Sequence, residues 1–223
     1  MVTHLGYQRC DADQAVFFKR DGGCIVVVLV HVDDCTIAAT SLDDIIELKA
    51  QISEHVEISD WLLDIEVKRD RHRYTLHLSQ RSYIDSILHC YGLEDLKPLS
   101  TPLDMNTQLT TAQSPTTTTE IARMRDIPYH KAVGSLMYAA LSTRPDIAFT
   151  VQTVLQFSTK PGTAHWDAVK RIFRHLKETM DLWLTYGVSK MDLTGYKDAD
   201  GSMAEDRHAI SGYAFLIHGG TVS

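Results

Sequence analysis

Apolar positions along the chain follow two rhythms. Between Ala15 and Ala39 they come in short blocks: Ala15–Lys19, the seven-residue run Cys24–Val30, and Cys35–Ala39. Blocks rich in Val and Ile, separated by Asp21-Gly22-Gly23 and by His31-Val32-Asp33-Asp34, predict antiparallel strands joined by hairpins. Cys24–Val30 is too short to span a membrane and reads as a strand buried on both faces. From residue 42 the rhythm changes to a helical one. Ile45, Leu48, Ile52 and Val56 recur at three- and four-residue spacing, so Leu42–His55 is an expected helix with Ser41 as N-cap and Asp43 and Asp44 complementing its dipole. Ile65–Lys68 and Tyr74–Leu78 predict a second hairpin around the charged turn Arg69–Arg73. Gln80–Tyr91 reads as a helix stopped by Gly92.

The middle of the chain breaks the pattern. Thr110–Thr119 lacks an apolar period and reads as a flexible linker within a Thr-rich stretch near 106–127. Helical periodicity returns in Tyr129–Leu141 and Ile147–Ser158, parted by Thr143-Arg144-Pro145-Asp146, and in Thr163–Thr179. Leu182–Thr185, Leu193–Lys197 and Ile210–Ile217 read as strands. The expected fold class is α+β: a small antiparallel sheet backed by the Leu42–His55 helix, a helical middle, and a few strands at the end.

Composition narrows the function classes. With 223 residues, 44% hydrophobic and 23% charged, the chain is expected to be a soluble globular protein of one or two domains. A formal charge of −7 argues against a general electrostatic grip on nucleic acid, although a local basic face is compatible with it. Cys10, Cys24, Cys35 and Cys90 form no CxxC pair and are expected as small buried thiols. Met1–Asp13 is too polar for a secretory signal, so a reducing intracellular setting, cytoplasmic or nuclear, and no membrane partner are expected. P-loop, GxGxxG, HExxH and GxSxG motifs are absent from the sequence.

Two features carry candidate chemistry. Asp33 and Asp34 stand side by side at the tip of an apolar hairpin, where like charges repel and burial opposes ionisation. Either their side chains bond the local backbone, as turn aspartates do, or they hold a divalent cation that offsets the repulsion and clamps phosphate oxygens. On the Thr163–Thr179 helix, Lys170, Arg171, Arg174 and Lys177 gather opposite the stripe Trp166, Val169, Phe173 and Leu176. That basic side is a solvated face or one that tracks phosphates. Asp198-Ala199-Asp200-Gly201 fails as a calcium loop, because Met203 occupies the position that needs glycine.

The strand–X-Val-Asp-Asp–strand arrangement resembles the catalytic hairpin of reverse transcriptases, usually Tyr-Val-Asp-Asp, with His31 in place of the Tyr. Further segments resemble the copia-type retrotransposon enzymes in order along the chain. These are Gly6-Tyr7 with Asp13-Gln14-Ala15-Val16-Phe17, Leu63-Asp64-Ile65-Glu66-Val67 (Leu-Gly-Ile-Glu-Val in the family) and Leu78-Ser79-Gln80 with Tyr83-Ile84. The most specific is Val133-Gly134-Ser135-Leu136-Met137-Tyr138 through Thr143-Arg144-Pro145-Asp146-Ile147-Ala148. Gly195-Tyr196 with Asp198-Ala199-Asp200 and Ser211-Gly212-Tyr213 resembles the opening of the ribonuclease H domain that follows.

The resemblance implies a partial reverse-transcriptase palm at 1–79 with catalytic and primer-grip hairpins. A helical thumb and connection follow at 80–181, and truncated ribonuclease H-like strands at 182–223. It implies RNA-directed DNA polymerase chemistry with Mg²⁺ or Mn²⁺ on Asp33 and Asp34, and a ribonuclease H metal on Asp198 with Asp200 as a second candidate. RNA template, DNA primer and deoxynucleoside triphosphates would be the partners, met by His31 and the basic helix face Lys170, Arg171, Arg174 and Lys177. The segment near Asp60–Leu62 is shorter than in the family, and the matched region starts and stops in mid-domain. The expectation is therefore a polymerase fragment with both active sites incomplete and little activity alone. The alternative is a non-catalytic remnant that at most binds nucleic acid.

Overall fold

A computed structural model describes residues 2–32, 34–56, 61–104, 106–187, 193–200 and 210–222. The chain divides into two compact units, Met1–Ile65 and Glu66–Ser223.

In the first unit, β1 (Gln8–Arg9), β2 (Val16–Asp21), β3 (Cys24–His31) and β4 (Asp34–Ala39) form one antiparallel sheet in sequence order. Helix α1 (Leu42–Ser53) follows, opened as expected by the Ser41 hydroxyl, which accepts the Asp43 N–H at 3.2 Å. The register pairs Phe17 with Val28 and Val28 with Ile37. Paired residues share a face, so these three side chains lie on the same side. Together with Tyr7, Val26, Leu48 and Ile52 they make the core of this unit. The alternate residues behave differently: Ile25 is 38% and Leu29 44% exposed. The expectation that β3 is buried on both faces is corrected here. An antiparallel sheet can be packed on one side only, and α1 supplies that one cover. A short strand, β5 (Trp61–Leu62), lies beside β4.

The second unit is built on helices α2 (Arg81–Cys90), α3 (Thr118–Arg125), α4 (Tyr129–Ser142), α5 (Ala148–Leu155) and α6 (Thr163–Glu178). Ile84, Leu88, Leu136, Val154, Ile172 and Phe173 sit in a single core drawn from α2, α4, α5 and α6. Strands β6 (Ile65–Asp70), β7 (Thr75–Ser79) and β8 (Leu184–Tyr186) pair antiparallel in that order. A separate sheet holds β9 (Thr194–Asp200), β10 (Ile210–Ile217) and β11 (Gly220–Thr221). The Tyr186 hydroxyl ties the two by donating to the Thr221 carbonyl at 2.6 Å.

The Thr-rich segment is not free chain. Thr117 opens α3 with a capping box: Glu120 N–H donates to its hydroxyl, and the Glu120 carboxylate accepts from the Thr117 N–H. The spacing Thr117-x-x-Glu120 was the signal, hidden in a run of threonines. His165 on α6 stacks on Phe157 at 4.1 Å. Its Nδ1 accepts from Gly162 N–H, and its Nε2 lies 3.1 Å from the Thr110 carbonyl. Burial lowers the pKa of this imidazole, which suits a ring that donates at one nitrogen and accepts at the other. Gly162 is required here, since a Cβ would meet the Gln113 carbonyl oxygen at 2.0 Å. The cysteines also depart from expectation. Cys24, Cys35 and Cys90 are exposed because they fall at or near the ends of β3, β4 and α2.

Where α4 ends, a polar cluster replaces the apolar core. Arg144, only 2% exposed, gives two hydrogen bonds to Asp146, at 2.9 and 2.7 Å, and donates to the Thr179 carbonyl. His175 Nε2 lies 3.0 Å from the same Asp146 carboxylate. Burial pushes the Asp146 carboxyl up, but hydrogen bonds and charge from Arg144 and His175 outweigh it and hold the group below its ordinary value. Arg144→Ala is expected to cost about 3 kcal/mol, the low end for a broken buried pair because Asp146 keeps 40% of its surface in water. Thermal unfolding should read this as a Tm drop of roughly 6–12 °C. A carboxyl with a depressed pKa stabilises above its unfolded value and loses that contribution as pH falls through the folded one. Asp146→Asn should therefore flatten the acid side of the stability profile, measured by urea unfolding between neutral and acid pH.

Candidate functional site at the first hairpin

The apolar block of β3 carries the chain outward to His31, which pairs with Asp34 of β4. Only Val32 and Asp33 connect the two strands. Asp33 lies outside the described residues, as does Asp60 at the start of the segment expected to be shortened, near Asp60–Leu62. Val32 is 84% exposed and takes φ of 55°, a conformation that a β-branched side chain disfavours. A two-residue hairpin needs positive φ at its first position, so the tight register forces it. Strain of this kind persists only where the surrounding structure holds it, and it gathers at functional tips.

Asp34 is half-buried, unlike exposed His31 across from it. Its Oδ2 accepts the backbone N–H of Leu63 at 2.8 Å, from a residue 29 positions away. Leu63 and Asp64 both have positive φ, 51° and 60°, and form the turn that leaves β5. The sequence pattern suggests for Asp34 a bond to the backbone of its own turn or a metal ligand; a partner 29 residues away carries no local signal. Among the described residues no group of three or more His, Cys, Asp or Glu side chains could hold a metal ion. The described residues therefore do not fit a metal site on their own.

The other expected residues are placed apart from this tip along the chain. Asp198 is an exposed residue of β9, in register with Gly212 of β10. The side chain of Asp200 and the loop with Met203 lie outside the described residues. The basic residues of α6 are brought together, but onto protein. Arg174 Nε donates to the Lys97 carbonyl at 2.6 Å, and Lys177 Nζ donates to the carbonyls of Glu94 and Leu96. Arg171 donates to the Thr101 hydroxyl at 2.9 Å and lies 3.8 Å from Asp104. Lys170 pairs with Asp167 one turn earlier on α6.

The motifs with the widest resemblance also meet one another. Thr143 donates to the buried Gln80 side chain at 2.8 Å. The Tyr83 hydroxyl donates to the Ser135 carbonyl, and its ring meets Tyr138 edge-on at 4.9 Å.

Comparison with known proteins gives the chain its relatives. It is 38% identical over 226 residues to the Retrovirus-related Pol polyprotein from transposon TNT 1-94 of Nicotiana tabacum, covering 97% of this chain and 17% of that protein. It is 32% identical over 222 residues to the corresponding polyprotein from transposon RE2 of Arabidopsis thaliana, covering 96% of this chain and 14% of that one. The chain is a homologue of copia-type retrotransposon Pol polyproteins. A further relative, Secreted RxLR effector protein 161 of Plasmopara viticola, is 42% identical over 104 residues, covering 45% of this chain and 72% of that protein. No family model matches the chain. No solved structure matches it either. Among the described residues no helix is long and apolar enough to cross a membrane.

For this Pol homologue, the contacts of α6 make a direct prediction. Replacing Arg171, Arg174 and Lys177 together by Gln should release the segment from Glu94 to Asp104. Hydrogen exchange at the Leu99 amide, which donates to the Arg174 carbonyl at 3.2 Å, should speed up by about tenfold.

Proposed function

We propose that this chain is the reverse-transcriptase portion of a copia-type Pol polyprotein, running into the first strands of a ribonuclease H-like domain. The observation that carries the reading is the sequence pair Asp33-Asp34 where β3 turns into β4, with only two residues between His31 and its strand partner Asp34. Near-complete coverage by Pol polyproteins supports it. The proposed reaction is RNA-templated extension of a DNA primer by deoxynucleoside triphosphates. When bound, Mg²⁺ or Mn²⁺ would supply charge neutralisation at the phosphates. Within the chain, Asp33 and Asp34 are proposed for the metal, and exposed His31 at the end of β3 is assigned to the nucleic acid. Lys170, Arg171, Arg174 and Lys177 keep a proposed secondary role in phosphate contact, shared with the segment they already hold. Asp198 is proposed for the ribonuclease H metal.

A second reading, nucleic-acid binding without catalysis, is favoured by a specific observation. The described residues assemble no metal-binding group, and one oxygen of Asp34 is already engaged.

Primer extension on an RNA template with Mg²⁺ or Mn²⁺ separates the two. Under the first reading the chain incorporates nucleotides slowly at high enzyme concentration, as a fragment with an incomplete site would, and Asp33→Ala loses about 100-fold or more of that rate, since positioning at the reacting atoms is disrupted. Absence of incorporation at every enzyme concentration, with retained filter binding that weakens as salt rises, would establish the second.

A further inference from the structure

We infer that α4 carries a dimerisation face, on which two copies of this chain pair antiparallel about a two-fold axis and Leu141 of each copy fills the space over Gly134 of the other. One side of α4 is already used within its own unit: Val133, Leu136, Ala139 and Ala140 are buried there. The other side is open. Leu141 is 81% and Met137 40% exposed, and Gly134 is exposed as well. Gly134 and Leu141 stand seven residues apart, close to two turns, so they lie on one line along the helix, with Met137 beside it.

Gly134 is the residue that asks for a partner. Glycine inside a helix costs stability relative to alanine, because a more mobile backbone is immobilised. Among the described residues nothing calls for it, since a Cβ at this position would meet no atom within 4 Å. The missing side chain leaves a recess on the outside of the helix, and Leu141 is a protrusion on the same line.

Recess and protrusion on one line fit a second copy of the same helix. An α4 laid antiparallel, with the axis between Met137 and Tyr138, brings Gly134 against Leu141 of the second copy and Leu141 against its Gly134. One surface is then satisfied twice, as a two-fold interface requires. Charge selects the same direction. Helix α4 contains no acidic residue and holds His130 and Lys131 in its first turn. Parallel copies would bring these cationic ends together, whereas antiparallel ones set Lys131 against the carbonyl end of the other helix. In that register Lys131 faces position 144 of the second copy, two residues from Asp146, whose side chain keeps 40% of its surface in water. A single helix pair buries less than a standard interface, so the dimer is weak, with Kd on the order of 100 µM. It does not depend on the polymerase reading, and its test reads mass, not activity.

In sedimentation velocity on the full chain, the mean mass should rise from one chain toward two between about 5 and 500 µM. Gly134→Leu fills the recess and Leu141→Ala removes the protrusion. Each should weaken association by about tenfold or more, with the far-UV circular dichroism unchanged because both positions are exposed. Combining the two exchanges knob and hole, and should return Kd to within about threefold of the parent chain. At low concentration Gly134→Ala should raise Tm by about 2–4 °C, since the isolated helix gains, while the dimer loosens. A chain that stays monomeric across the range overturns the inference. So does a mass that climbs past two chains, or an association that neither single substitution weakens. A double variant no tighter than the single ones overturns the antiparallel register.

Discussion

A two-residue connection between His31 and Asp34 governs the first sheet. With so short a turn, the pairing of β3 and β4 has one register, and that register decides which side chains meet α1. Val26 and Val28 go inward; Ile25 and Leu29 go outward. Slipping by one residue would expose the inward set and turn Asp34 away from Leu63. The positive φ of Val32 is a cost of the same constraint, supported by the ladder of hydrogen bonds on either side.

Order in the second unit comes from a different source. Its apolar core is continuous, but the segments that resemble copia-type enzymes most specifically lie at the polar seams of that core. Gln80 meets Thr143, Tyr83 meets Ser135 and Tyr138, and Arg144 meets Asp146 and Thr179. Buried polar groups need partners at fixed positions, so they tolerate less change than packed aliphatic side chains. The residues that carry the resemblance here are thus doing architectural work. The basic side of α6 belongs with them, because its cations complete the carbonyls of an otherwise irregular segment.

Helices and strands were largely legible in the sequence because each depends on local periodicity. α1, α4, α6 and the β2–β3–β4 meander stand close to where the apolar spacing puts them. The Thr-rich stretch misled for a local reason as well: α3 has too few apolar residues to show a period, and its capping box is spelled in the same threonines that suggest a linker. Burial of β3 misled for a non-local reason, since an apolar run does not state how many of its faces find a neighbour.

By itself the sequence determined that the chain turns back between His31 and Asp34 and that basic residues share one helical face, since both follow from local spacing. Tertiary structure alone decided what those side chains touch. Asp34 reaches an amide 29 residues away, and Arg174 reaches a carbonyl 77 residues away. Partners so distant in sequence are chosen by how separate elements pack, and no local pattern encodes that choice.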